Sequence, residues 1–276
     1  YETIDAHLRR AGIRMLDMQS VSGEMAFGGR SNQFLHNEAW CAAIFEFEAN
    51  RYAREGDPAM AARFKAAVAR AIGNMVLWLD KNPIYHIKNR FPTESRYGCE
   101  KYAYFDKYMI TAASNLYAAY LMCDESIPVG DVMDQSPVAW QTSAHFHKLF
   151  LRYGDYFAEY DTNADPQYDA CGLGRVHRRG APSAICLSVP CPEKPHYQIG
   201  GNTPVPMSLC VGIAKGDGYR YACENGVAHE IVNCETDATG AHAEIADLLG
   251  GTHLDGDPVD AARWLATDRL AAGDGD

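Results

Sequence analysis

The spacing of apolar residues changes near residue 135, and this change limits the possible folds more than any other feature of the sequence. Before it, apolar side chains recur every three or four residues, as in segments 4–18 and 58–80. After it, short aromatic-rich segments such as 148–153 are separated by Gly, Pro and Asn. Helices followed by strands, without alternation, predict an α+β chain of two domains, 1–135 and 136–276, rather than a parallel α/β sheet.

Helix-capping and turn residues give approximate boundaries for the elements. The predicted helices are 4–18, 31–54, 58–80 and 98–123. The predicted strands are 148–153, 156–160, 184–189, 207–213, 219–223 and 228–234. Gly154-Asp155 between the first two strands is a hairpin signal.

The net charge of the chain limits the kinds of partner that it is expected to bind. The chain of 276 residues has 25 basic and 36 acidic residues, so its formal net charge is −11. Segment 235–276 holds ten acids and two arginines (10 − 2 = 8 negative charges), which leaves −3 for residues 1–234. A nucleic-acid partner is therefore not expected, but the nearly balanced body can hold a local basic site. No apolar run is long enough to predict a membrane span.

No sequence motif predicts a metal or a cofactor. Nucleotide-binding glycine motifs, HExxH and GxSxG are absent, and the nine cysteines are scattered without a CxxC pair. Asp161, Asn163 and Asp165 resemble the start of a calcium loop, but Pro166 stands where that loop needs glycine. His145-x-His147 lacks a recognisable third zinc ligand. Because the sequence starts at Tyr1 and closes on Gly and Asp residues, we expect a fragment of a longer protein.

Three clusters of polar residues could carry chemistry. The first, 28–38, places polar side chains around a helix start, at Arg30, Asn32, Gln33, His36 and Glu38. A simple helix cap explains one or two of them, but not all.

The second cluster, 96–108, includes Arg96, Tyr102, and Glu100 with Tyr104 at i,i+4 spacing on one helix face. A carboxylate and a phenol in a cleft can share proton transfer. An amphipathic helix with tyrosines at its boundary explains the same pattern.

The third cluster, 169–183, is the densest basic patch of the chain and includes Arg175 and His177. Guanidinium groups bind carboxylates through paired hydrogen bonds, so the patch indicates an acidic ligand. The alternative is a basic hairpin turn between two strands.

Together and in this order, these clusters resemble the heparinase II/III-like group of carbohydrate-active enzymes. Asn32 and Gln33 loosely match its Asn-Asn-His stretch, with Phe34 in the histidine place and Glu38 as the following acid. The Gly…Glu…Tyr stretch of the group is matched by three residues, namely Gly98, Glu100 and Tyr104. The resemblance implies an incomplete (α/α) toroid followed by an antiparallel β-sandwich, and no cofactor.

Because Phe34 stands where the lyases of this group have a histidine, one residue of the lyase machinery is missing. The resemblance therefore points first to hydrolysis of a terminal glucuronide, as in family 154 glycoside hydrolases. Glu100 would be the general acid, Glu38 the second carboxylate and Tyr104 a support for the acid. The expected contacts to substrate come from Arg30, Asn32, Gln33, His36, Arg96, Tyr102, Arg175 and His177. Two alternatives are β-elimination with Tyr104 as base and acid, and glycan binding without catalysis. In each case we expect the three catalytic side chains to share one cleft with Arg175 or His177.

Overall fold

The computed structural model describes residues 2–26, 35–79, 107–130, 137–165, 171–181, 212–215, 218–224, 227–248 and 263–271. Within these ranges the helices are α1 (Glu2–Met18), α2 (Leu35–Arg54), α3 (Pro58–Leu79) and α4 (Lys107–Met122). The strands are β1 (Val138–Gln141), β2 (Lys148–Tyr153), β3 (Tyr156–Asp161), β4 (Gly172–Arg178), β5 (Gly212–Lys215), β6 (Gly218–Tyr221), β7 (Ala228–Asp237), β8 (Gly240–Leu248) and β9 (Arg263–Ala271). This mixture of helices and antiparallel sheets confirms the predicted α+β class. The helices lie in one compact unit and the strands in another.

Helix α2 is the centre of the helical unit, because it packs against both α3 and α4. Their shared core contains Phe45 and Phe64, both fully buried, together with many alanines that let the helices approach closely. Tyr52 stacks on Phe64 with ring centroids 5.5 Å apart. Truncation of a buried aromatic side chain of this kind lowers the stability of a protein by several kcal/mol. These rings are therefore a main source of stability in the helical unit.

The connection between α2 and α3 follows local capping chemistry. Gly56 adopts a left-handed conformation (φ 82°) just after α2, where a residue with a Cβ is disfavoured. Asp57 then caps α3, since its Oδ1 accepts the backbone N–H of Met60 at 3.0 Å. Pro58 begins the helix at a position where no N–H is needed. The predicted boundary at residues 54–58 is confirmed.

Gly23→Ala is expected to destabilise the helical unit far more than Gly56→Ala. Both glycines have left-handed backbones, which costs an alanine about 1–2 kcal/mol. A Cβ at Gly23 would also lie 2.2 Å from the carbonyl oxygen of Arg70, whereas a Cβ at Gly56 would meet nothing within 4 Å. Urea unfolding of the two variants measures the difference. Equal losses would show that the contact with Arg70 is easily relaxed.

The strand unit contains a four-stranded antiparallel sheet of order β1-β2-β3-β4 and a three-stranded sheet of order β7-β8-β9. β5 and β6 form a separate hairpin. The first two sheets share an apolar core, in which Leu149, Leu151 and Tyr160 pack with Ala243 and Ile245. The predicted hairpin is confirmed, because β2 and β3 pair from Lys148 with Asp161 to Tyr153 with Tyr156 around Gly154-Asp155.

Several predicted boundaries differ from the structure. The segment around Arg175 and His177 is not a turn, because Gly172–Arg178 is strand β4, paired with β3. The register between β3 and β4 shifts at Glu159 and Tyr160, which leaves Gly174 as an extra residue in β4. The strand predicted at 219–223 ends at 221 in a turn, and the one at 228–234 continues to 237. The predicted elements at 31–34, 98–106, 184–189 and 207–211 lie outside the described residues.

Candidate functional site

The described part of the first cluster is the start of α2. Glu38 lies in the first turn of this helix and is buried, with 4% of its surface exposed. Burial, reinforced by the charge of Glu38, raises the pKa of the Cys41 thiol to about 12. Burial also lowers the pKa of His36. A carboxyl group therefore lies buried at this helix start, beside a thiol whose titration it affects.

The sheet β1-β2-β3-β4 has one face that carries most of the buried charge in the strand unit. Because residues directly opposite each other in a sheet point to the same side, the register assigns the side chains to faces. One face holds Leu149, Leu151 and Tyr160 and belongs to the apolar core. The other, which we call the polar face, holds Val138, Trp140, Lys148, Phe150, Arg152, Phe157, Glu159, Asp161, Arg175 and His177.

Four ionisable residues of the polar face, with His147 beside them, form a chain of alternating charge across three strands. Arg175 Nη1 lies 3.8 Å from Glu159 Oε2, and Glu159 Oε1 lies 3.6 Å from Lys148 Nζ. Lys148 also donates to Asp161, whose other carboxylate oxygen is 2.7 Å from His147 Nδ1. Arg175 is only 1% exposed. Charges this deeply buried are retained in a protein only when opposite charges and hydrogen bonds compensate for lost hydration.

Cations outnumber carboxylates among the described residues of the polar face. Lys148, Arg152 and Arg175 give three positive charges, and Glu159 and Asp161 give two negative ones, so the formal sum is 3 − 2 = +1 with His177 counted as neutral. Trp140 and Phe150 stack beside them, with ring centroids 5.8 Å apart. Guanidinium and ammonium groups beside aromatic rings are the groups that bind a ligand combining a carboxylate with an apolar ring face.

The structure brings some of the predicted site residues together. Arg175 and His177 lie two residues apart on the polar face, where His177 packs against Phe157 with ring centroids 6.4 Å apart. His36 and Glu38 lie together at the start of α2. Seven further predictions lie outside the described residues, namely Arg30, Asn32, Gln33, Arg96, Glu100, Tyr102 and Tyr104.

The sequence analysis missed four charged residues of the polar face, namely Lys148, Arg152, Glu159 and Asp161. The signal for them is present in the sequence as charges at even spacing in two successive strands, four residues apart in β2 and two residues apart in β3. Such spacing places side chains on one face of a strand. The predicted hairpin already paired these strands, so its register would have placed Lys148 opposite Asp161.

The described residues contain neither a metal-ligand cluster nor a membrane-spanning helix. No three potential metal-ligating side chains lie together in the part of the chain that the structure describes. No described helix is both long enough and apolar enough to span a membrane.

Comparison with known proteins does not assign the chain to a family. No family model matches the chain, and neither a curated protein nor a solved structure is significantly similar to it.

Proposed function

We propose that the chain belongs to a carbohydrate-active enzyme that cleaves a uronic-acid-containing glycan, with hydrolysis of a terminal glucuronide as the reaction. In this proposal the helical unit is part of an (α/α) toroid and the strand unit is part of a β-sandwich. The order of elements, helices and then antiparallel sheets, agrees with that architecture.

The observation that carries the proposal is the set of buried guanidinium and ammonium groups beside aromatic rings on the polar face. A uronate is a sugar with a carboxylate, and the sheet supplies guanidinium and ammonium groups beside aromatic rings. Arg175 would bind the carboxylate in exchange for part of its contact with Glu159, and His177 would assist. Because the face is buried, substrate entry requires movement of the residues that cover it. The ion pair formed there would be shielded from water and correspondingly strong.

The chemistry in this proposal is assigned to two carboxyl groups, as glycoside hydrolysis requires. Glu100 is the general acid and Glu38 is the second carboxylate, with Tyr104 supporting the acid. Glu38 lies in the first turn of α2 and is buried, so in this role its carboxyl group would be shielded from bulk water.

The products distinguish this proposal from its two alternatives. Incubation with a panel of uronic-acid-containing oligosaccharides should release free uronic acid. A polysaccharide lyase with Tyr104 as base and acid would instead produce an unsaturated uronate that absorbs ultraviolet light. A glycan-binding protein without catalysis would release neither product but would still bind the oligosaccharides.

Arg175→Ala is expected to weaken binding of the uronic-acid substrate by about 1.5–3 kcal/mol, the value of a hydrogen bond to a charged group. KM should rise more than kcat falls, because the contact is present in the ground state and the transition state alike. Arg175→Met keeps the length of the side chain and serves if the alanine variant unfolds.

Arg178→Ala is the matched control for this experiment. Arg178 lies in the same strand but is exposed and stacks over Tyr156 at 5.7 Å. Its removal should leave KM unchanged. Equal effects of the Arg175 and Arg178 substitutions would show that general surface charge, not the polar face, attracts the substrate.

A further inference from the structure

The end of α4 places a thiol beside a buried lysine. Cys123 directly follows the last residue of α4, and its Sγ accepts a hydrogen bond from Lys65 Nζ at 3.5 Å. Lys65 lies within α3, 58 residues earlier in the chain, so this contact joins two helices. A nitrogen and a sulfur held this close can react with each other after only a small movement of the two side chains.

The surrounding contacts hold the pair in place. Asn50 in α2 donates from Nδ2 to the carbonyl of Met122 at 2.6 Å and to the carbonyl of Glu46 at 2.9 Å, which ties the end of α4 to α2. Glu46 also accepts two hydrogen bonds from Lys65 Nζ, each at 2.9 Å. The folded helical unit therefore fixes the position of the lysine nitrogen relative to the sulfur.

Exposure makes the sulfur of this pair accessible to a small oxidant. Cys123 is exposed, whereas the other described cysteines are buried or partly exposed, namely Cys41, Cys171, Cys223 and Cys234. Peroxides oxidise accessible thiols to sulfenic acids, which neighbouring sulfur or nitrogen nucleophiles can trap. Lys65 supplies such a nitrogen, and it is only 6% exposed, so the nitrogen is shielded from other reactants.

We propose that Lys65 and Cys123 form a covalent nitrogen–oxygen–sulfur bridge when the protein meets hydrogen peroxide. The first peroxide molecule converts the thiol into a sulfenic acid and releases water. The ammonium group of Lys65 passes a proton to Glu46, and the neutral Nζ then bonds to the sulfenic oxygen. A second peroxide molecule takes the two electrons that the nitrogen loses. The protons from the sulfenic O–H and from Nζ leave with that peroxide as two molecules of water.

The geometry favours a bridge that contains an oxygen atom. From a separation of 3.5 Å, Nζ and Sγ must approach each other less for an intervening oxygen than for a direct nitrogen–sulfur bond. The proton transferred to Glu46 also neutralises its carboxylate, so no buried charge remains opposite the uncharged bridge. The proposal is independent of the glycan-cleaving function.

Mass spectrometry of the peroxide-treated wild-type chain provides the first test. A peptide that joins Lys65 to Cys123 should appear, with the mass of the two parent peptides plus one oxygen atom less two hydrogen atoms. Dithiothreitol should restore the parent peptides, because a thiol can attack the bridged sulfur. Oxidation of Cys123 to sulfinic or sulfonic acid without a joined peptide would overturn the proposal, and so would a joined peptide that lacks the oxygen atom.

Two variants test which side chains form the bridge. Lys65→Arg keeps a positive charge opposite Glu46 but replaces the amine with a guanidinium group that stays protonated, so the joined peptide should be lost. Cys234→Ser is the matched control, since it removes a partly exposed cysteine, and the joined peptide should remain. A joined peptide in Lys65→Arg would overturn the proposal. If that variant does not fold, the wild-type measurement alone decides.

The dependence on the fold has a test of its own. Peroxide treatment of the wild-type chain unfolded in urea should oxidise Cys123 without joining it to Lys65, because the two side chains are then no longer held together. Equal yields of the joined peptide from the folded and the unfolded chain would contradict the proposed role of the contact between α3 and α4.

Discussion

Glu100→Gln is expected to lower kcat on a uronic-acid substrate by about 10²–10⁴-fold, the usual contribution of general acid–base catalysis. Glutamine keeps the shape of glutamate and most of its hydrogen bonds, but it cannot donate a proton to the leaving oxygen. Substrate binding should therefore remain nearly intact. Steady-state kinetics and calorimetric binding to the same oligosaccharide measure the two effects separately.

The same substitution at two other glutamates tests whether the loss is specific. Glu38→Gln should reduce kcat by a similar factor, because hydrolysis needs both carboxyl groups. Glu125→Gln is the control, since Glu125 is exposed in the turn after α4, and it should have no effect. If Tyr104→Phe were inactive while Glu100→Gln stayed active, and the product carried a conjugated double bond, the lyase alternative would replace the hydrolase proposal.

Lys65→Met is expected to destabilise the helical unit by about 3–5 kcal/mol, as is usual when one partner of a buried ion pair is removed. Lys65 Nζ donates to both carboxylate oxygens of Glu46 at 2.9 Å, and both residues are buried. The substitution leaves the Glu46 charge buried without this partner. Urea unfolding followed by circular dichroism measures the loss.

A double variant separates the buried charge from the loss of packing. Lys65→Met with Glu46→Leu should recover most of the stability, since a buried pair can be replaced by apolar residues at little cost. A double variant as unstable as the single one would show that packing around the lysine stem, not the charge, explains the loss.

The same pair predicts an alkaline limit to stability. Burial alone would lower the pKa of Lys65, but its hydrogen bond and charge interaction with Glu46 outweigh burial and raise the pKa above 10.5. A raised pKa in the folded state means that the stabilisation is complete below pH 10.5 and is lost as the pH rises through the higher value. The Lys65→Met variant should lose this dependence.

Elements defined by local chemistry were predictable from the sequence. The helix boundary at Gly56, Asp57 and Pro58 needs only residues that are adjacent in the chain, and so does the hairpin around Gly154-Asp155. In these places capping and turn residues account for the backbone conformation without reference to tertiary contacts.

Whether a particular side chain is buried depends on tertiary contacts that the sequence pattern does not identify. Ile4, Leu8 and Leu16 have the spacing of an apolar helix face, and α1 is a helix, yet Leu16 is buried while Ile4 is 61% and Leu8 50% exposed. Arg175 shows the opposite case, because the hairpin turn considered as an alternative for its segment would expose a guanidinium group that is almost completely buried in β4. Tertiary packing decides both cases, and periodicity alone does not report it.

The extra residue in β4 changes which residues can share a side of the sheet. In a regular strand Leu173 and Arg175 would point the same way, two positions apart. The extra residue, Gly174, shifts the alternation of side chains by one position. Leu173 therefore lies on the side of the apolar core, and Arg175 lies on the polar face. Deletion of Gly174 would make Leu173 and Arg175 neighbours in a regular ladder, and alternation would then keep the leucine on the side of the apolar core and the arginine on the polar face. Deletion of Val176 would instead force either Arg175 or His177 to the side of the apolar core. This strand pair should therefore tolerate deletion of Gly174 far better than deletion of Val176.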